Sequence, residues 1–506
     1  MSSSEKIPQF PKTYWRELDL PTFEKLKEDK FVDVAIIGAG ITGITAAYLL
    51  AKEGVKVAIL EAGGVLNGTT GHTTAKVTAQ HGLLYDELIQ HFGEDKAKLY
   101  YESHTHAIQF IKQLGIECDL SDEDAYIYAN TDEYAEKIKT EWEAYQKLGI
   151  EGQMADSIPF DIPIKKALVM RNQAQFHPLK YLKKLLDVAV QSGCLVYENT
   201  TATDIEDHDE DNPVVVTKEG PKVSCKRVII ASHFPFYDGL GFYATRMYAD
   251  RSYAIGIKSE KNYPGGMYIS ADDPSRSIRS TPLDDGKLII IGGENHKTGQ
   301  GPDTLVHYDE LEKFAEDIFG IKEYTYRWSA QDLVTLDKVP YIGPITDKKQ
   351  HILVATGYKK WGMTTGTAAG HLLADYILDR ENPYKELYSP SRFDADPDLK
   401  SFISTNVDVA KHLLKGKLEF VPKDPGDLEI GEGSVVMHHG KRAGAYKDEN
   451  GKLYIVDTTC THLGCETEWN HGEKTWDCPC HGSRFSYAGD VVESPALKPL
   501  NNITEE

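Results

Sequence analysis

The 506-residue sequence lacks any long uncharged apolar run, and no window approaches the roughly 18 apolar residues that a membrane span needs. We therefore expect no membrane span. Positive charge is also scarce, because 56 Lys and Arg residues stand against 78 Asp and Glu residues, which gives a formal net charge of -22. Binding to a phosphate backbone requires clustered Lys and Arg, so we expect no nucleic acid partner. The first twenty residues lack the continuous apolar segment of a secretory signal, and we expect a cytoplasmic location.

Cysteine is sparse, and its placement is uneven. Three of the seven cysteines, Cys118, Cys194 and Cys225, are scattered, which is typical of buried, reduced core residues. The other four lie together near the C-terminus and alternate with histidines, which indicates metal ligands in a cytosolic chain. They form the motif Cys460-Thr-His462-Leu-Gly-Cys465, followed later by Cys478-Pro-Cys480-His481-Gly-Ser483. Two Cys and two His could hold zinc, but such a site would leave two cysteines unused.

This motif resembles that of the Rieske proteins of respiratory and photosynthetic electron-transfer complexes. The resemblance implies a 2Fe-2S cluster bound by the C-terminal segment. By the same resemblance Cys460 and Cys478 hold one iron, His462 and His481 hold the other, and Cys465 forms a disulfide with Cys480. Ring-hydroxylating oxygenases also carry Rieske clusters but lack the extra cysteine pair, and the sequence resembles them less.

A cluster with two neutral imidazole ligands has a higher reduction potential than an all-cysteine cluster, which predicts an electron acceptor. Ser483 matches the serine that donates a hydrogen bond to the cluster in the Rieske family. High-potential members carry a tyrosine four residues after the second histidine ligand, and this sequence has Phe485 there. Because phenylalanine cannot donate a hydrogen bond, we expect a cluster potential below theirs.

A second motif lies near the N-terminus, where a buried-strand pattern at 31–38 leads into Gly38-Ala-Gly40-Ile-Thr-Gly43. A helical pattern follows, the next strand is expected at 55–60, and Glu61 comes directly after it. This βαβ order is typical of dinucleotide binding, with the pyrophosphate at the helix N-terminus and the acid on a ribose hydroxyl. The spacing alone does not separate NAD from FAD.

Three further segments, 61–64, 68–76 and 357–366, resemble those of the FAD-dependent amino acid and amine oxidoreductases related to D-amino acid oxidase. The resemblance implies that FAD is bound by Gly38, Gly40, Gly43, Glu61, His72, Gly357, Gly362, Thr364 and Thr365. His72 falls where dimethylglycine dehydrogenases carry a histidine bonded covalently to the flavin, but a noncovalent polar contact is more common at this position, and covalent attachment is the alternative. No second G-x-G-x-x-G follows a strand, so we expect no nicotinamide site beside FAD.

In this family the flavin oxidises the carbon next to an amine nitrogen, and the protein mainly positions the substrate. The site then needs a cation for a substrate carboxylate and an aromatic lining. The candidate residues are Arg279, His81, Gln331 and Lys76, and Arg279 could equally be a surface residue at a strand end. Thr364 stands where sarcosine oxidases carry a carboxylate-binding lysine, which argues against N-methylglycine as the substrate.

The length predicts more than one folding unit. The expected fold is an α/β Rossmann-type FAD-binding domain with an inserted α+β substrate domain, followed by a small all-β Rieske domain. Buried runs at 226–232 and 351–357 predict two returns of the chain to the first sheet. The expected bounds are 1–390 for the oxidoreductase, with about 31–110, 180–240 and 340–380 for its FAD-binding part, 391–420 for a linker and helix, and 421–506 for the Rieske domain.

These features together predict a flavoprotein dehydrogenase. An amine or amino-acid-like substrate gives electrons to FAD, and the cluster passes them singly to an unknown one-electron acceptor. A dehydrogenase is favoured over an oxidase, because a cluster that removes single electrons would have no role if dioxygen reoxidised the flavin directly. Two alternatives stay open: an electron-transfer adaptor between a protein donor and an oxygenase or other redox partner, and a cluster-based redox sensor.

Overall fold

The computed structural model describes residues 11–207, 212–392, 406–409, 411–413 and 423–504. Its named helices are α1 Ile41–Lys52, α2 Tyr85–Gln113, α3 Asp132–Leu148, α4 Pro178–Gln191, α5 Tyr243–Arg246, α6 Thr304–Phe319, α7 Gly362–Ile377 and α8 Lys385–Tyr388. The strands before residue 360 are β1 Lys30–Phe31, β2 Val34–Ile37, β3 Val57–Leu60, β4 Lys76–Val77, β5 Ser121–Ala129, β6 Gly152–Ala155, β7 Lys166–Gln175, β8 Leu195–Tyr197, β9 Ala202–Glu206, β10 Val214–Thr217, β11 Lys222–Ser224, β12 Arg227–Ile230, β13 Met247–Ser259, β14 Met267–Ser270, β15 Arg276–Leu283, β16 Gly286–Lys297, β17 Ile321–Thr335, β18 Tyr341–Pro344 and β19 Ile352–Thr356. The C-terminal strands are β20 Gly433–His438, β21 Lys441–Lys447, β22 Leu453–Val456, β23 Glu468–Asn470, β24 Thr475–Asp477, β25 Arg484–Ser486 and β26 Val491–Glu493.

A six-stranded sheet carries the N-terminal glycine motif and has the order β18-β19-β12-β2-β3-β8. Its pairs are parallel except for that of β18 with β19. Strands β2, β3 and β19 are buried at every residue, as strands covered on both faces should be. Strands β12 and β19 lie beside β2, so the buried runs at 226–232 and 351–357 do return the chain to the first sheet.

The apolar run at 31–38 is not one strand. Strand β1 pairs with β11 in a separate four-stranded sheet, and β2 begins only at Val34. Between the two strands, the carboxylate of Asp33 accepts a hydrogen bond from the Lys56 backbone N–H at 3.0 Å and pairs with Lys226 at 2.8 Å. These contacts fix the residue at which the chain changes sheet.

Helices α1 and α7 pack closely and run parallel, since Gly366 lies against Ile41 and Gly370 against Thr45. A Cβ at Gly366 would lie 2.5 Å from Ile41 Cγ2, and one at Gly370 would lie 2.7 Å from Thr45 Cβ. The two glycines therefore permit a contact that a side chain would block. As a result, both helix N-termini lie at the same edge of the six-stranded sheet.

A nine-stranded sheet forms the inserted region, with the order β17-β13-β16-β15-β14-β5-β7-β4 and with β6 paired to β7. Helix α6 packs on it through Tyr308 and Leu311, which join a core cluster with Tyr253 and Ile289. The predicted fold class, an α/β domain with an inserted α+β region, is confirmed. Strands β4 and β17 of this sheet border the cavity described below.

The C-terminal region consists of two antiparallel sheets, β20-β21-β22 and β23-β24-β25-β26. The loops after β22 and β24 carry the cysteine and histidine motif. Of the predicted linker and helix at 391–420, residues 406–409 and 411–413 are helical, 391 and 392 are described, and the rest lies outside the described residues. The bounds of the domains stay predictions.

Candidate active site and cluster site

Glycines close the turn between β2 and α1 at both of its ends. Gly38 has a φ of +107°, and a Cβ there would lie 2.5 Å from the carbonyl oxygen of Ala231. A Cβ at Gly43 would lie 2.0 Å from the carbonyl oxygen of Gly38. At Gly40, a Cβ would meet only Thr70 Oγ1, at 3.2 Å, and the remaining space belongs to a cavity. Gly40 thus leaves room for a ligand at the N-terminus of α1, where an anion is stabilised.

Glu61 follows β3 and lines the same cavity. Its carboxylate accepts hydrogen bonds from the backbone N–H groups of Ala39 at 2.8 Å and Gly63 at 2.9 Å. Burial raises the pKa of Glu61, while these N–H donors favour its ionised form. Two amides therefore fix the carboxylate, and its remaining lone pairs can accept from ribose hydroxyls.

The cavity has a volume of about 860 Å³, in the upper part of the range of ligand pockets. It runs from the glycine turn along residues 68–76 and 231–236 to the sheet of the inserted region. Residues between 490 and 499 of the C-terminal region form part of its wall. The glycine turn, the open N-terminus of α1 and the fixed Glu61 carboxylate fit the adenosine and pyrophosphate parts of a dinucleotide.

His72, Gly357 and Gly362, which the family resemblance proposes as flavin contacts, line this cavity. His72 donates a hydrogen bond from Nδ1 to the carbonyl oxygen of Gly68 at 2.9 Å. Burial lowers the pKa of His72, so the ring is neutral at neutral pH. Trp328 donates from its indole nitrogen to the carbonyl oxygen of His72 at 2.9 Å, which holds this segment against β17.

Among the candidate substrate residues, Lys76 lines the cavity near the inserted sheet, away from the glycine turn. Its ammonium group donates a hydrogen bond to the hydroxyl of Ser277, which also lines the cavity. Burial, with help from the charges of Arg279 and Lys360, lowers the pKa of Lys76 to about 7. Burial also raises the pKa of Asp332, which lines the same cavity, to about 8. The cavity lining therefore includes two groups that change charge near neutral pH.

The structure places Arg279, a candidate for binding a substrate carboxylate, outside the cavity lining. Its guanidinium group is buried and donates to the backbone carbonyl oxygens of Thr74 at 3.0 Å, Ala75 at 2.7 Å and Ser280 at 3.0 Å. Burial lowers its pKa to about 9, so it stays charged at neutral pH. Because its donors are used by backbone carbonyls, Arg279 holds the polar segment in place and is not available to a substrate carboxylate.

His81 is also not at the cavity, and Thr364 and Thr365 turn their side chains away from it. His81 bonds through Nδ1 to the hydroxyl of Tyr100 at 2.8 Å and through Nε2 to the Thr78 carbonyl oxygen at 2.8 Å. The hydroxyl of Thr364 donates to the same carbonyl at 3.0 Å. The hydroxyl of Thr365 bonds to a second buried histidine, His104, at 3.1 Å. Burial lowers the pKa of His81, and this neutral network supports α7 from behind.

Gln331 faces the C-terminal region instead of the substrate end. Its amide Nε2 donates to the carbonyl oxygen of Gly482 at 2.9 Å, and its Oε1 accepts from Thr298 at 2.8 Å and from Arg251 at 3.3 Å. None of these contacts supports the candidate catalytic role of Gln331, which stays a prediction. Its side chain contacts the residue next to His481.

The cluster motif folds into two adjacent loops. Cys460 and Cys478 are buried and are not in a disulfide, and the rings of His462 and His481 are perpendicular with centroids 5.0 Å apart. Within the described part of the chain, Nδ1 of each histidine is buried without a hydrogen-bond partner. A hydrogen bond from Cys478 lowers the pKa of Cys460 to about 7. Two unpartnered ring nitrogens beside two thiols fit an iron-sulfur cluster, because buried polar atoms are seldom left unpaired.

Cys465 and Cys480 form a disulfide, with the two sulfurs 2.04 Å apart, as the Rieske resemblance implies. Ser483 bonds to the sulfur of Cys460 and accepts from the backbone N–H of Ala496 at 3.0 Å. Phe485 is fully buried behind the loops. The disulfide and the hydrogen bond between Ser483 and the sulfur of Cys460 hold both loops in one arrangement.

A buried ion network joins the C-terminal region to the inserted sheet. Arg251 on β13 lies 3.2 Å from the carboxylate of Glu493 and 3.8 Å from that of Asp477. Arg484 lies 3.1 Å from each of the same two carboxylates. Burial opposes the ionisation of both acids, but the two arginines outweigh it and lower their pKa values. No motif in the sequence indicates this network, since Arg251 lies more than 200 residues before its other three members.

A second contact across the boundary involves Phe234, which lines the cavity. Its ring centroid lies 6.2 Å from that of His462. Thus the cavity wall touches the cluster loops directly.

Residues 33–376 match the sequence family described as FAD dependent oxidoreductase, and residues 420–504 match the Rieske [2Fe-2S] domain. A putative Rieske 2Fe-2S iron-sulfur protein of Bacillus subtilis (strain 168) is 53% identical over 508 residues, which cover 99% of each chain. Gamma-glutamylputrescine oxidoreductase of Escherichia coli (strain K12) is 26% identical over 381 residues, or 70% of this chain and 85% of that one. Glycine oxidase from Geobacillus kaustophilus shares the fold over 72% of this chain and 99% of its own, with a TM-score of 0.59 and 20% identity.

The chain therefore belongs to the FAD dependent oxidoreductase family. It is an oxidoreductase with FAD as its cofactor, and it carries a C-terminal Rieske domain, which implies a 2Fe-2S cluster. These findings favour FAD over NAD and an iron-sulfur cluster over zinc, the alternatives that spacing and ligand type left open. Among the described residues, no helix combines the length and apolar character needed to cross a membrane.

Proposed function

We propose that the protein is a dehydrogenase that oxidises a CH–NH bond of an amine or amino-acid-like substrate and delivers the electrons singly through its Rieske cluster to a one-electron acceptor. One observation carries this proposal: the cavity that contains the glycine turn is walled in part by residues of the Rieske domain between 490 and 499. A donor and an acceptor of electrons thus share a boundary within one chain.

The proposed FAD contacts are Gly38, Gly40, Gly43 and Glu61 at the nucleotide end, and His72, Gly357 and Gly362 toward the ring. When bound, FAD takes two electrons from a substrate and can release them one at a time, which suits a cluster that carries one. The side chains of Thr364 and Thr365 support α7 from behind, so any contact they make is through the backbone. A noncovalent polar contact of His72 with the flavin stays the prediction, with covalent attachment as its alternative.

The proposed cluster ligands are Cys460 and Cys478 on one iron and His462 and His481 on the other. Support comes from the two unpartnered Nδ1 atoms and the two free thiols that face each other. The acceptor beyond the cluster is an expected partner of unknown identity.

The proposed substrate lies at the inserted sheet, where Lys76 on β4 and Asp332 on β17 each line the cavity. A protonated Lys76 can bind an anionic group, and an ionised Asp332 can bind a substrate ammonium. The names of two similar proteins, gamma-glutamylputrescine oxidoreductase and glycine oxidase, support a substrate with an amine nitrogen. Trp328 and Trp361 line the cavity and can exclude water from the reacting carbon.

An anaerobic screen of amines and amino acids tests this function. We expect a substrate that bleaches the flavin absorbance, followed by the electron paramagnetic resonance signal of a reduced Rieske cluster. Bleaching without any reduction of the cluster would contradict the proposed route. Failure of every amine, together with reduction by a protein donor, would favour the electron-transfer adaptor instead.

A further inference from the structure

Gln331 lies on β17 at the boundary between the flavin cavity and the cluster loops. Its side chain is almost fully buried, with 1% of its surface exposed. Its neighbours in sequence, Ala330 and Asp332, line the cavity. The amide of Gln331 points to the other side, toward the loop that contains His481.

The hydrogen bonds around Gln331 fix which end of its amide faces the cluster loop. Oε1 accepts from the hydroxyl of Thr298 at 2.8 Å and from the guanidinium of Arg251 at 3.3 Å. Both partners are donors here, so this atom must be the oxygen. The nitrogen is then the atom that donates to the carbonyl oxygen of Gly482, at 2.9 Å.

The loop that contains His481 packs tightly against Gln331. A Cβ on Gly482 would lie 2.9 Å from the amide of Gln331 and 2.4 Å from Cβ of Ala249. Gly482 directly follows His481, a proposed ligand. The contact of Gly482 with Gln331 therefore positions this ligand together with the disulfide at Cys480.

At its backbone, Gln331 contacts the cavity wall. Its carbonyl oxygen accepts from the hydroxyl of Thr69 at 3.3 Å, and Thr69 lines the cavity within the polar segment 68–76. A path of two hydrogen bonds and one side chain thus runs from Thr69 through Gln331 to Gly482 and His481.

We infer that Gln331 is the positioning residue that couples the flavin cavity to the cluster, by holding the His481 loop in contact with the cavity wall. This inference rests on the proposed function. The step it serves moves one electron from reduced FAD to the oxidised cluster, where one ferric ion becomes ferrous. No bond in Gln331 forms or breaks, and any proton lost by the flavin passes to solvent. The second electron follows after a one-electron acceptor has reoxidised the cluster.

The experiment compares Gln331→Met with the wild-type holoprotein and with Thr298→Val as the matched control. Gln331→Met keeps the length of the side chain but removes its donor, whereas Thr298→Val removes a bond to the other end of the same amide. A light pulse with EDTA as the sacrificial donor reduces the flavin without the natural substrate. Cluster reduction is then followed by freeze-quench electron paramagnetic resonance.

We expect cluster reduction to slow by roughly tenfold to a hundredfold in Gln331→Met, because small displacements have large effects on such steps. The yield of flavin reduction should stay as in the wild type. Hydrogen exchange of residues 478–483 should rise in Gln331→Met and stay near the wild-type level in Thr298→Val. Gln331→Glu, which keeps the oxygen that Thr298 and Arg251 contact, replaces Gln331→Met if that variant does not fold.

The outcomes separate this inference from the proposed function. If the wild type shows no electron transfer from flavin to cluster, the proposed function fails. If the wild type transfers electrons and Gln331→Met does so at the same rate, Gln331 has no coupling role. An equal loss in Thr298→Val would also overturn the inference, because it would mean that any disturbance of this boundary slows the transfer.

Discussion

The cluster site and the flavin cavity differ in how the chain builds them. The cluster site consists of two loops between residues 460 and 483, held together by one disulfide and a local hydrophobic cluster. The cavity instead draws its lining from residues between 25 and 499, across three sheets and the Rieske domain. The cluster site therefore depends on a few residues that are close in sequence. The flavin cavity depends on how large parts of the fold pack together.

The largest expected effect tests whether the local site can be lost alone. Cys460→Ala removes a proposed ligand, so we expect complete loss of the cluster, measured as iron, acid-labile sulfide and the visible spectrum. Flavin content should be retained, because the glycine turn and Glu61 belong to a separate sheet. The control is Cys225→Ala, which alters a buried core cysteine and should leave the cluster intact. Parallel loss of flavin would mean that the two sites are not independent.

The next largest effect concerns the boundary between the two regions. Arg251→Met leaves Glu493 and Asp477 paired with Arg484 alone, and losing the hydrogen bonds of one charged partner costs about 1.5 to 3 kcal/mol. We expect that loss in the free energy of unfolding, measured with denaturant. Arg171→Met breaks an exposed pair with Asp124 and should cost less than about 1 kcal/mol. Equal costs for both variants would mean that the buried network adds nothing to the boundary.

The same contrast explains what the sequence could predict. The cluster motif could be recognised from the sequence because its ligands are close in sequence and the loops of Rieske domains adopt few conformations. The glycine turn was readable for the same reason, as Gly38, Gly40 and Gly43 obey local backbone geometry. Predictions for Arg279, His81 and Gln331 depended on which way a side chain points from its strand or loop. That direction is set by partners such as the Thr74 carbonyl, Tyr100 and Gly482, which lie far away in the sequence.

A smaller effect is expected at the inserted-sheet end of the cavity, where pH should control anion binding. Lys76, with its pKa lowered to about 7, is charged below that pH and neutral above it. The affinity for an anion such as benzoate should therefore fall as the pH rises through 7, on the order of tenfold, the worth of a charged hydrogen bond. The measurement is titration of the flavin spectrum with benzoate.

The control for this pH dependence is Lys76→Met, in which the fall through pH 7 should disappear. Asp332 has a pKa of about 8, so its ionised carboxylate repels the anion. In Lys76→Met, a weaker fall in anion affinity should therefore remain at higher pH. Lys360→Met should keep the fall in affinity but move it to higher pH, since the charge of Lys360 helps to lower the pKa of Lys76. An unchanged slope in Lys76→Met would assign the titration to another group.

The smallest expected effect concerns the potential of the cluster. Phe485 is fully buried behind the loops, and it stands where high-potential Rieske proteins carry a tyrosine. Phe485→Tyr supplies a hydroxyl that can donate to a cluster sulfur, which stabilises the reduced, more negative state. One hydrogen bond of about 1 kcal/mol corresponds to a rise of roughly 40 mV in the midpoint potential for one electron. Redox titration followed by electron paramagnetic resonance measures this shift, and Phe319→Tyr, in the core cluster of the inserted region, is the control that should leave it unchanged. If the midpoint of Phe485→Tyr equals that of the wild type, the missing tyrosine does not set the potential. The next contact to change is then the hydrogen bond from Ser483.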